Sequence, residues 1–275
     1  MKNFKKPQTA WLFDIDGVLT DPEKKRVTNP KIFEELIRRL KIDEPVGLNT
    51  GRSLDFIINE VLDPLEERIE RKEILRNVVA IGEKGGAWIV YDDEGKRTVE
   101  VDENISVPTA VQEKIRELIK TDLYSETVFY DETKKTMVSI ELKINKTIED
   151  FEKIKQQLTN DLEDVLSEFN IEKKYKIDPT RIAVDVENIN VGKALGARKF
   201  VEFLDKKEIK PVEFMCFGDS VSDYDMYEEL KIMEKKVKFI FVGGEKYLLG
   251  KNTNEVEFTD KLFDLGTLGY IQNNR

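Results

Sequence analysis

Four aspartates lie where buried strands are predicted to end, in the segments WLFDIDGVLTD and VEFMCFGDSVSDYDM. Asp14 and Asp16 are two residues apart, so on a strand their side chains project from the same face. Asp219 follows the second apolar run, and Asp223 comes four residues later. Converging carboxylates repel one another, and a hard divalent cation relieves that repulsion. Mg²⁺ binds a few carboxylate oxygens together with water and phosphate, so we expect a magnesium site here.

Each pair of aspartates also has an explanation without a ligand. Asp-x-Asp-Gly is a common turn sequence, because aspartate bonds the nearby backbone and glycine tolerates positive φ. Ser222 and Asp225 have the spacing of a capping box for the helix DYDMYEELKIM. That explanation leaves Asp219, at the end of its strand, unaccounted for. The second pair therefore favours the metal site.

An anion site is predicted beside the carboxylates, from the segment LNTGRS and from Lys193. Thr50 and Gly51 follow a short strand, and a hydroxyl and an accessible backbone N–H suit phosphate oxygens. Lys193, in NINVGKALGARK, is expected in the first turn of a helix, where a cation opposes the helix dipole and a nearby anion compensates it. The alternatives are a simple turn capped by Ser53 and a solvated surface lysine.

The composition limits the chemistry that these residues can perform. The chain of 275 residues contains no histidine and a single cysteine, Cys216. Histidine-dependent triads, HExxH metal sites, thiolate clusters and an intrachain disulfide are therefore excluded. Catalysis has to rest on carboxylates, lysine, hydroxyl groups or a hard metal ion. The net charge of -10 argues against nucleic acid as a partner but allows a small anionic substrate.

The elements that would position these residues are predicted from hydrophobic periodicity. Buried strands in AWLFDID, PVGLNTG, NVVAIGEKGGA, VEFMCFGD and VKFIFVGG alternate with amphipathic helices, which predicts an α/β fold with a parallel sheet. Between them, TMVSIELKI and RIAVDV alternate apolar and polar residues, as strands of an antiparallel sheet with one open face do. We therefore predict a Rossmann-like core in two parts, 1–86 and 190–275, interrupted by a small α+β domain at 87–189.

Neither a membrane nor a secretory route is expected. No stretch approaches the roughly 20 apolar residues that span a bilayer. The N-terminal segment is basic but lacks the long apolar region of a secretory signal. We predict a cytoplasmic protein, and its oligomeric state stays open.

In chain order, these segments resemble the haloacid dehalogenase (HAD) superfamily of phosphohydrolases. DIDGVLT is similar to its first motif, NTGR to its second, Lys193 to its third and GDSVSDYDM to its fourth. The inserted domain stands between the second motif and the lysine, where type II caps occur. The pattern resembles the type IIB group, which includes Cof-type sugar phosphatases, sucrose- and trehalose-phosphate phosphatases and phosphomannomutases. The fourth motif departs from the Cof pattern, with Ser220 and Ser222 where asparagines are usual.

The resemblance implies catalytic and phosphate-binding roles for the matching residues. Asp14 would be the nucleophile that forms an aspartyl-phosphate. Asp16 would protonate the leaving group and then deprotonate the attacking water. That role needs a raised pKa, which a neighbouring carboxylate is expected to supply. Thr50, the Gly51 amide and Lys193 would hold the phosphoryl group.

The resemblance also implies a metal site and a reaction. Mg²⁺ would be bound by Asp14, the backbone carbonyl of Asp16 and Asp219, with Asp223 as a direct or water-mediated contact. The expected activity is hydrolysis of a small phosphorylated metabolite, with a sugar phosphate as the leading substrate class. Phosphoglycolate and nucleotide monophosphates stay open as substrates. Two other functions stay open as well, a phosphomannomutase-like mutase and a HAD-like binding protein without turnover.

Overall fold

The computed structural model describes residues 7–244, 248 and 250–274. In chain order its strands are β1 (Thr9–Phe13), β2 (Val46–Asn49), β3 (Val78–Gly82), β4 (Ala87–Tyr91), β5 (Arg97–Val101), β6 (Val128–Tyr130), β7 (Val138–Leu142), β8 (Tyr175–Pro179), β9 (Ala183–Asn188), β10 (Glu213–Gly218), β11 (Val237–Phe241) and β12 (Val256–Phe258). Its α-helices are α1 (Lys31–Lys41), α2 (Leu54–Ile57), α3 (Asp63–Glu67), α4 (Thr109–Leu118), α5 (Asp122–Ser125), α6 (Ile148–Glu168), α7 (Lys193–Lys206), α8 (Tyr224–Ile232) and α9 (Phe263–Asn273).

These residues form two compact units. The larger unit contains the described residues up to Glu100 and from Gly192 onward, and the smaller one is Val101–Val191. The larger unit is built on an eight-stranded sheet with the order β12-β11-β10-β1-β2-β3-β4-β5. Neighbouring strands from β12 to β3 are parallel, and β4 is antiparallel to β3. The smaller unit has its own four-stranded sheet, so the predicted fold class is confirmed.

The central strand β1 explains why the candidate residues meet. It lies between β10 and β2 and is parallel to both. All five of its residues are buried, as expected for an unbroken apolar run in a parallel sheet. Phe13 pairs with Phe217 of β10, so the two strands end at the same level. Asp14, Thr50 and Asp219 follow β1, β2 and β10, which brings them to the carboxyl edge where open α/β sheets bind ligands.

The helix α7 packs on one face of this sheet. Its Ala197, Phe200 and Leu204 are buried in the same hydrophobic core as Leu12 of β1 and Val79 of β3. Apolar residues at this spacing lie on one side of a helix, so α7 packs along its length on the sheet. Its first residue, Lys193, consequently lies at the carboxyl edge of the strands.

The smaller unit is an antiparallel sheet with helices on one face. Its strand order is β6-β7-β9-β8, and each neighbouring pair is antiparallel. Val138 and Ile140 of β7 are buried with residues of α4 and α6, as their alternation predicted. Ile144 was expected on the same face, but it lies beyond the end of β7 and is fully exposed. Thr147 begins α6 with a capping box that it forms with Asp150.

The predicted domain division at 87 and 189 stays a prediction. The structure places β4 and β5 in the larger sheet. Along the chain, the boundaries between the two compact units fall between 100 and 101 and between 191 and 192. Buried and half-buried residues alternate along β4, which is typical of an antiparallel strand toward the edge of a mainly parallel sheet. None of the described helices combines the length and the apolar character that crossing a bilayer requires.

Candidate active site

Lys193 is the centre of the candidate site. Its Nζ lies 2.5 Å from Asp14 Oδ1 and 2.7 Å from Asp223 Oδ1. It also donates to the backbone carbonyl of Asn49 at 2.9 Å. Although burial lowers the pKa of Lys193, the charges of Asp14 and Asp223 outweigh it and raise the pKa, so this group stays an ammonium ion. The first turn of α7 therefore presents a fixed positive charge, as the sequence predicted.

Three carboxylates lie together at this site, and two of them contact the ammonium group. Asp14, Asp219 and Asp223 each offer an oxygen atom, and these atoms lie within 4.8 Å of one another. Burial raises the pKa of Asp14 well above its ordinary value, and Asp223 adds to this while Lys193 opposes it. Burial and the charge of Asp223 raise the pKa of Asp219 to about 7. One ammonium cannot balance three carboxylates, and this excess of negative charge fits a hard divalent cation.

Asp223 also holds the loop that carries Asp219. Its Oδ2 accepts hydrogen bonds from the backbone N–H of Asp219 at 3.1 Å and of Ser220 at 3.0 Å. The Ser220 hydroxyl also donates to the same oxygen at 2.8 Å, and Ser220 and Asp223 together form a capping box. The capping box predicted for Ser222 and Asp225 is therefore wrong. A short 3₁₀ turn, Val221–Asp223, precedes α8, so the cap forms two residues earlier.

Gly17 places Asp219 against the loop after β1. Gly17 has φ +72°, and a Cβ added to it would lie 2.3 Å from Asp219 Oδ2. Only glycine combines that backbone conformation with so close an approach. The turn DIDG therefore does more than reverse the chain, because it brings the loops after β1 and β10 into contact.

Asp16 is held by cations and stands apart from the carboxylate cluster. Arg52 donates from Nε to Oδ2 at 3.0 Å and from Nη2 to Oδ1 at 2.9 Å. Lys25 Nζ lies 3.8 Å from Oδ1. Burial raises the pKa of Asp16, but the hydrogen bonds and charge of Arg52 outweigh burial, and the pKa is lowered. The expectation that a neighbouring carboxylate raises this pKa is therefore wrong, because the group that contacts Asp16 is a guanidinium.

Thr50 and Gly51 lie in a loop that backbone hydrogen bonds tie to the turn after β3. Thr50 N–H donates to Ile81 at 2.9 Å, and Lys84 N–H donates to the Thr50 carbonyl at 3.0 Å. Lys84 has φ 56° and follows Glu83 at φ 50°, so two non-glycine residues occupy the left-handed region here. A Cβ on Gly51 would meet the Lys84 side chain at 3.6 Å. The aliphatic part of Lys84 thus lies beside the predicted phosphate-binding turn.

Sequence reasoning missed two residues of this site, Arg52 and Lys25, and the capping role of a third, Ser220. Arg52 directly follows Gly51 in the segment NTGR, and this position beside the predicted phosphate-binding turn was the available signal. Lys25 lies in an exposed turn, where a lysine carries no signal of its own. Ser220 was passed over in favour of Ser222, because both have a carboxylate three residues ahead.

A second acidic group occurs in the smaller unit, where Asp178, Asp185 and Glu187 have carboxylate oxygens within 4.8 Å of one another. Lys176 Nζ lies 3.2 Å from Glu187, and the Ser139 hydroxyl donates to Asp185 at 2.5 Å. These contacts already hold the second group. The candidate metal centre is therefore the cluster around Lys193.

Comparison with known proteins gives a likeness in structure alone. The sequence matches no family model and no curated protein. A trehalose-6-phosphate phosphatase from Aspergillus fumigatus is 18% identical, with a TM-score of 0.59 over 98% of this chain and 93% of that chain. The C-terminal domain of a trehalose-6-phosphate phosphatase from C. albicans is 17% identical, with a TM-score of 0.63 over 98% of this chain and 92% of that one.

A haloacid dehalogenase-like hydrolase from Bacteroides thetaiotaomicron is 14% identical, with a TM-score of 0.65 over 98% of this chain and 100% of that chain. At such identities a likeness establishes the fold, and here it spans both units. It confirms the fold that the sequence motifs implied. The chain has the fold of the haloacid dehalogenase-like hydrolases, an α/β core with an inserted cap domain.

Proposed function

We propose that this protein is a magnesium-dependent phosphatase that hydrolyses a small phosphorylated metabolite through an aspartyl-phosphate on Asp14. One observation carries the proposal. Asp14 directly follows the central strand and forms an ion pair with Lys193, at the edge where the loop with Asp219 and Asp223 begins. A carboxylate next to a fixed cation and two further carboxylates suits nucleophilic attack on a phosphoryl group beside a metal ion.

Four residues would hold the metal ion. Asp14 and Asp219 would bind it through their carboxylates, Asp16 through its backbone carbonyl, and Asp223 directly or through water. Bound there, Mg²⁺ supplies charge neutralisation for the nucleophile and the phosphoryl oxygens. The excess of carboxylates over ammonium groups in this cluster supports the assignment.

The first half of the reaction transfers the phosphoryl group to the protein. A carboxylate oxygen of Asp14 attacks phosphorus, and the bond from phosphorus to the ester oxygen breaks. Lys193 neutralises the phosphoryl oxygens, while the Thr50 hydroxyl and the Gly51 amide orient them. Asp16, in its acid form, gives its proton to the departing alcohol oxygen.

The second half returns Asp14 to its free state. Asp16, now a carboxylate, takes a proton from a water molecule whose oxygen attacks phosphorus. The bond between Asp14 and phosphorus breaks, and inorganic phosphate leaves. The hydrogen bonds from Arg52 hold the carboxylate of Asp16 in the form that this second step requires.

A sugar phosphate is the substrate class that we propose to test first. The solved structures from Aspergillus fumigatus and C. albicans are trehalose-6-phosphate phosphatases by name, which supports that choice. The absence of histidine and the net charge of -10 fit a metal-assisted enzyme for small substrates in the cytoplasm.

A phosphate-release screen tests the proposal. It covers sugar phosphates, phosphoglycolate and nucleotides, with Mg²⁺ or with EDTA, for the wild type, Asp14→Asn and Asp225→Asn. Asp225 is the matched control, because its carboxylate is half exposed and pairs with Lys251 at 3.5 Å. We expect Asp14→Asn to lower turnover by about 10⁴-fold or more and Asp225→Asn to leave it unchanged. Full Mg²⁺-dependent turnover in Asp14→Asn would refute the aspartyl-phosphate mechanism.

A further inference from the structure

We infer that Asn49 is a positioning residue that holds Lys193 against Asp14, and that Gly196 is a glycine because it must admit the Asn49 side chain. The inference rests on the proposed function, since it is the reaction at Asp14 that gives Lys193 its role. It adds a residue that touches neither the phosphoryl group nor the metal ion.

Asn49 contacts both the backbone and the side chain of Lys193. It is the last residue of β2 and is fully buried. Its side-chain Nδ2 donates to the backbone carbonyl of Lys193 at 2.9 Å, and its own backbone carbonyl accepts from Lys193 Nζ at 2.9 Å. The same Nζ lies 2.5 Å from Asp14 Oδ1. Asn49 therefore fixes the position of the α7 N-terminus relative to β2, and it also helps to orient the ammonium group of Lys193.

Two glycines let α7 approach β2 closely enough for these contacts. A Cβ on Gly196 of α7 would lie 2.0 Å from Asn49 Oδ1. A Cβ on Gly47 of β2 would lie 2.9 Å from the ring of Phe200. Asn49 and Gly47 share a face of the strand, while Gly196 and Phe200 share a face of the helix. Each side chain fits against the other element's glycine, so the position of α7 along β2 is fixed.

The arrangement carries two local costs. Asn49 Oδ1 is buried and has no hydrogen-bond partner among the residues that the structure describes. A buried amide oxygen without a partner destabilises the folded state. Glycine is also unfavourable inside a helix compared with alanine. An apolar residue opposite an alanine would avoid both costs, but it would leave the Lys193 carbonyl without the Asn49 hydrogen bond.

Double-mutant cycles separate positioning from ordinary packing. We expect Asn49→Ala to lower kcat on the best substrate by about 10- to 100-fold, as a displacement of roughly 1 Å does. In a Lys193→Ala background, the same change should cost less than threefold, because the group that Asn49 positions is gone. If the two losses multiply in full, Asn49 does not act through Lys193 and the inference is overturned.

Gly196→Ala gives a second, opposite test. Its Cβ displaces Asn49, so kcat should fall by about 10-fold or more even though alanine favours the helix. In an Asn49→Ala background, Gly196→Ala should cause no further loss of kcat. Gly269→Ala is the control, because no described atom outside its chain neighbours and its own helix backbone lies within 4 Å of the added Cβ. If Gly196→Ala keeps full activity, or loses activity equally in both backgrounds, the inference fails.

Failure of the proposed function gives a different result. In that case the wild type releases no phosphate from any compound in the screen, and the inference is judged on structure. A crystal structure of Gly196→Ala should show Lys193 Nζ displaced from Asp14. An unchanged contact between these two residues would overturn the positioning role.

Discussion

Both oxygens of the Asp16 carboxylate accept hydrogen bonds from the Arg52 guanidinium, at 2.9 and 3.0 Å. This pairing favours the ionised form of Asp16 and lowers its pKa, although burial opposes it. The proposed general acid therefore begins with the wrong protonation state for the first half of the reaction and the right one for the second. We therefore expect Arg52 to oppose the first half, which needs protonated Asp16, and to support the second half, which needs its carboxylate.

Removing Arg52 should shift the pH dependence of the reaction upward. In Arg52→Met the pKa of Asp16 rises, because burial remains while the hydrogen bonds and the positive charge are lost. A general acid acts while it is protonated, so the alkaline limb of the kcat/KM profile should move to higher pH. The maximum on a sugar phosphate, whose alcohol needs a proton, should fall no more than the maximum on p-nitrophenyl phosphate, because the acid form of Asp16 becomes more available.

The control for this prediction is Arg71→Met. Arg71 is mostly exposed and pairs only with Glu73 among the contacts that the structure describes, at 2.8 Å, so the pH profile should not change. An Arg52→Met profile that superimposes on the wild type would show that Arg52 does not set the protonation of Asp16.

Asp219→Asn should stabilise the metal-free protein at alkaline pH. The pKa of Asp219 is about 7 in the folded state, against an ordinary value of 3.8. Between these values the folded protein keeps a proton that the unfolded chain releases, so the free energy of unfolding falls as pH rises through this window. At pH 8 in EDTA the variant should be more stable than the wild type by about 1–2 kcal/mol, and below pH 4 the two should agree.

Urea unfolding with and without Mg²⁺ measures this effect. Mg²⁺ should stabilise the wild type, because it binds the folded state, and should stabilise Asp219→Asn much less. Asp225→Asn should behave as the wild type does. A wild type whose stability rises between pH 4 and 8 in EDTA would contradict the unfavourable charge at Asp219.

The parts of the site that could be predicted from the sequence are those that chain order determines. Asp14, Thr50 and Asp219 follow strands that are neighbours in the sheet. Predicting those strands was therefore enough to predict that the three residues lie close together. The contacts of Arg52 depend on the reach of a long side chain across two loops, and periodicity contains no such information. The choice between Ser220 and Ser222 as a cap depends on where a single 3₁₀ turn begins.

The sheet that the segment after β3 joins was harder to predict. AWIVY falls at the start of the predicted insertion, 87–189, where no strand was predicted. In the structure it forms β4, which pairs antiparallel with β3 of the large sheet. All five of its residues are apolar, and an apolar run does not report which sheet a strand joins.

Arg39→Met should destabilise the larger unit by about 3 kcal/mol or more. Arg39 is buried, lies 3.3 Å from Glu44 and donates to the carbonyls of Ile271, at 2.9 Å, and Asn274. Its guanidinium lies 4.2 Å from the centre of the Trp11 ring, and Trp11 donates to the same glutamate at 2.8 Å. Removing one partner of a buried ion pair leaves the other charge buried without compensation.

Tryptophan fluorescence in urea follows this loss, because Trp11 and Trp88 both belong to the larger unit. Lys238→Met is the control. Lys238 also pairs with a glutamate, Glu257, at 2.8 Å, but both side chains are more than a third exposed, so its loss should cost at most about 1 kcal/mol. Equal costs for the two variants would mean that burial of Arg39 adds nothing to its ion pair.

Gly17→Ala should weaken magnesium binding and catalysis together. At φ +72° an alanine is strained by about 1–2 kcal/mol, and its Cβ would lie 2.3 Å from Asp219 Oδ2. Asp219 then has to move, which disturbs the carboxylate cluster. A displacement of about 1 Å costs about 10²-fold in turnover, and the Mg²⁺ concentration for half-maximal activity should rise in parallel.

The control is Gly269→Ala, inside α9, where no described atom outside the chain neighbours and the helix's own backbone lies within 4 Å of the added Cβ. It should keep full activity and be as stable as the wild type or up to about 1 kcal/mol more stable. If Gly17→Ala unfolds more easily but keeps its Mg²⁺ dependence, the turn after β1 serves only the backbone. If both properties change, the glycine is present because the nucleophile and the metal ligand come from different loops that must touch there.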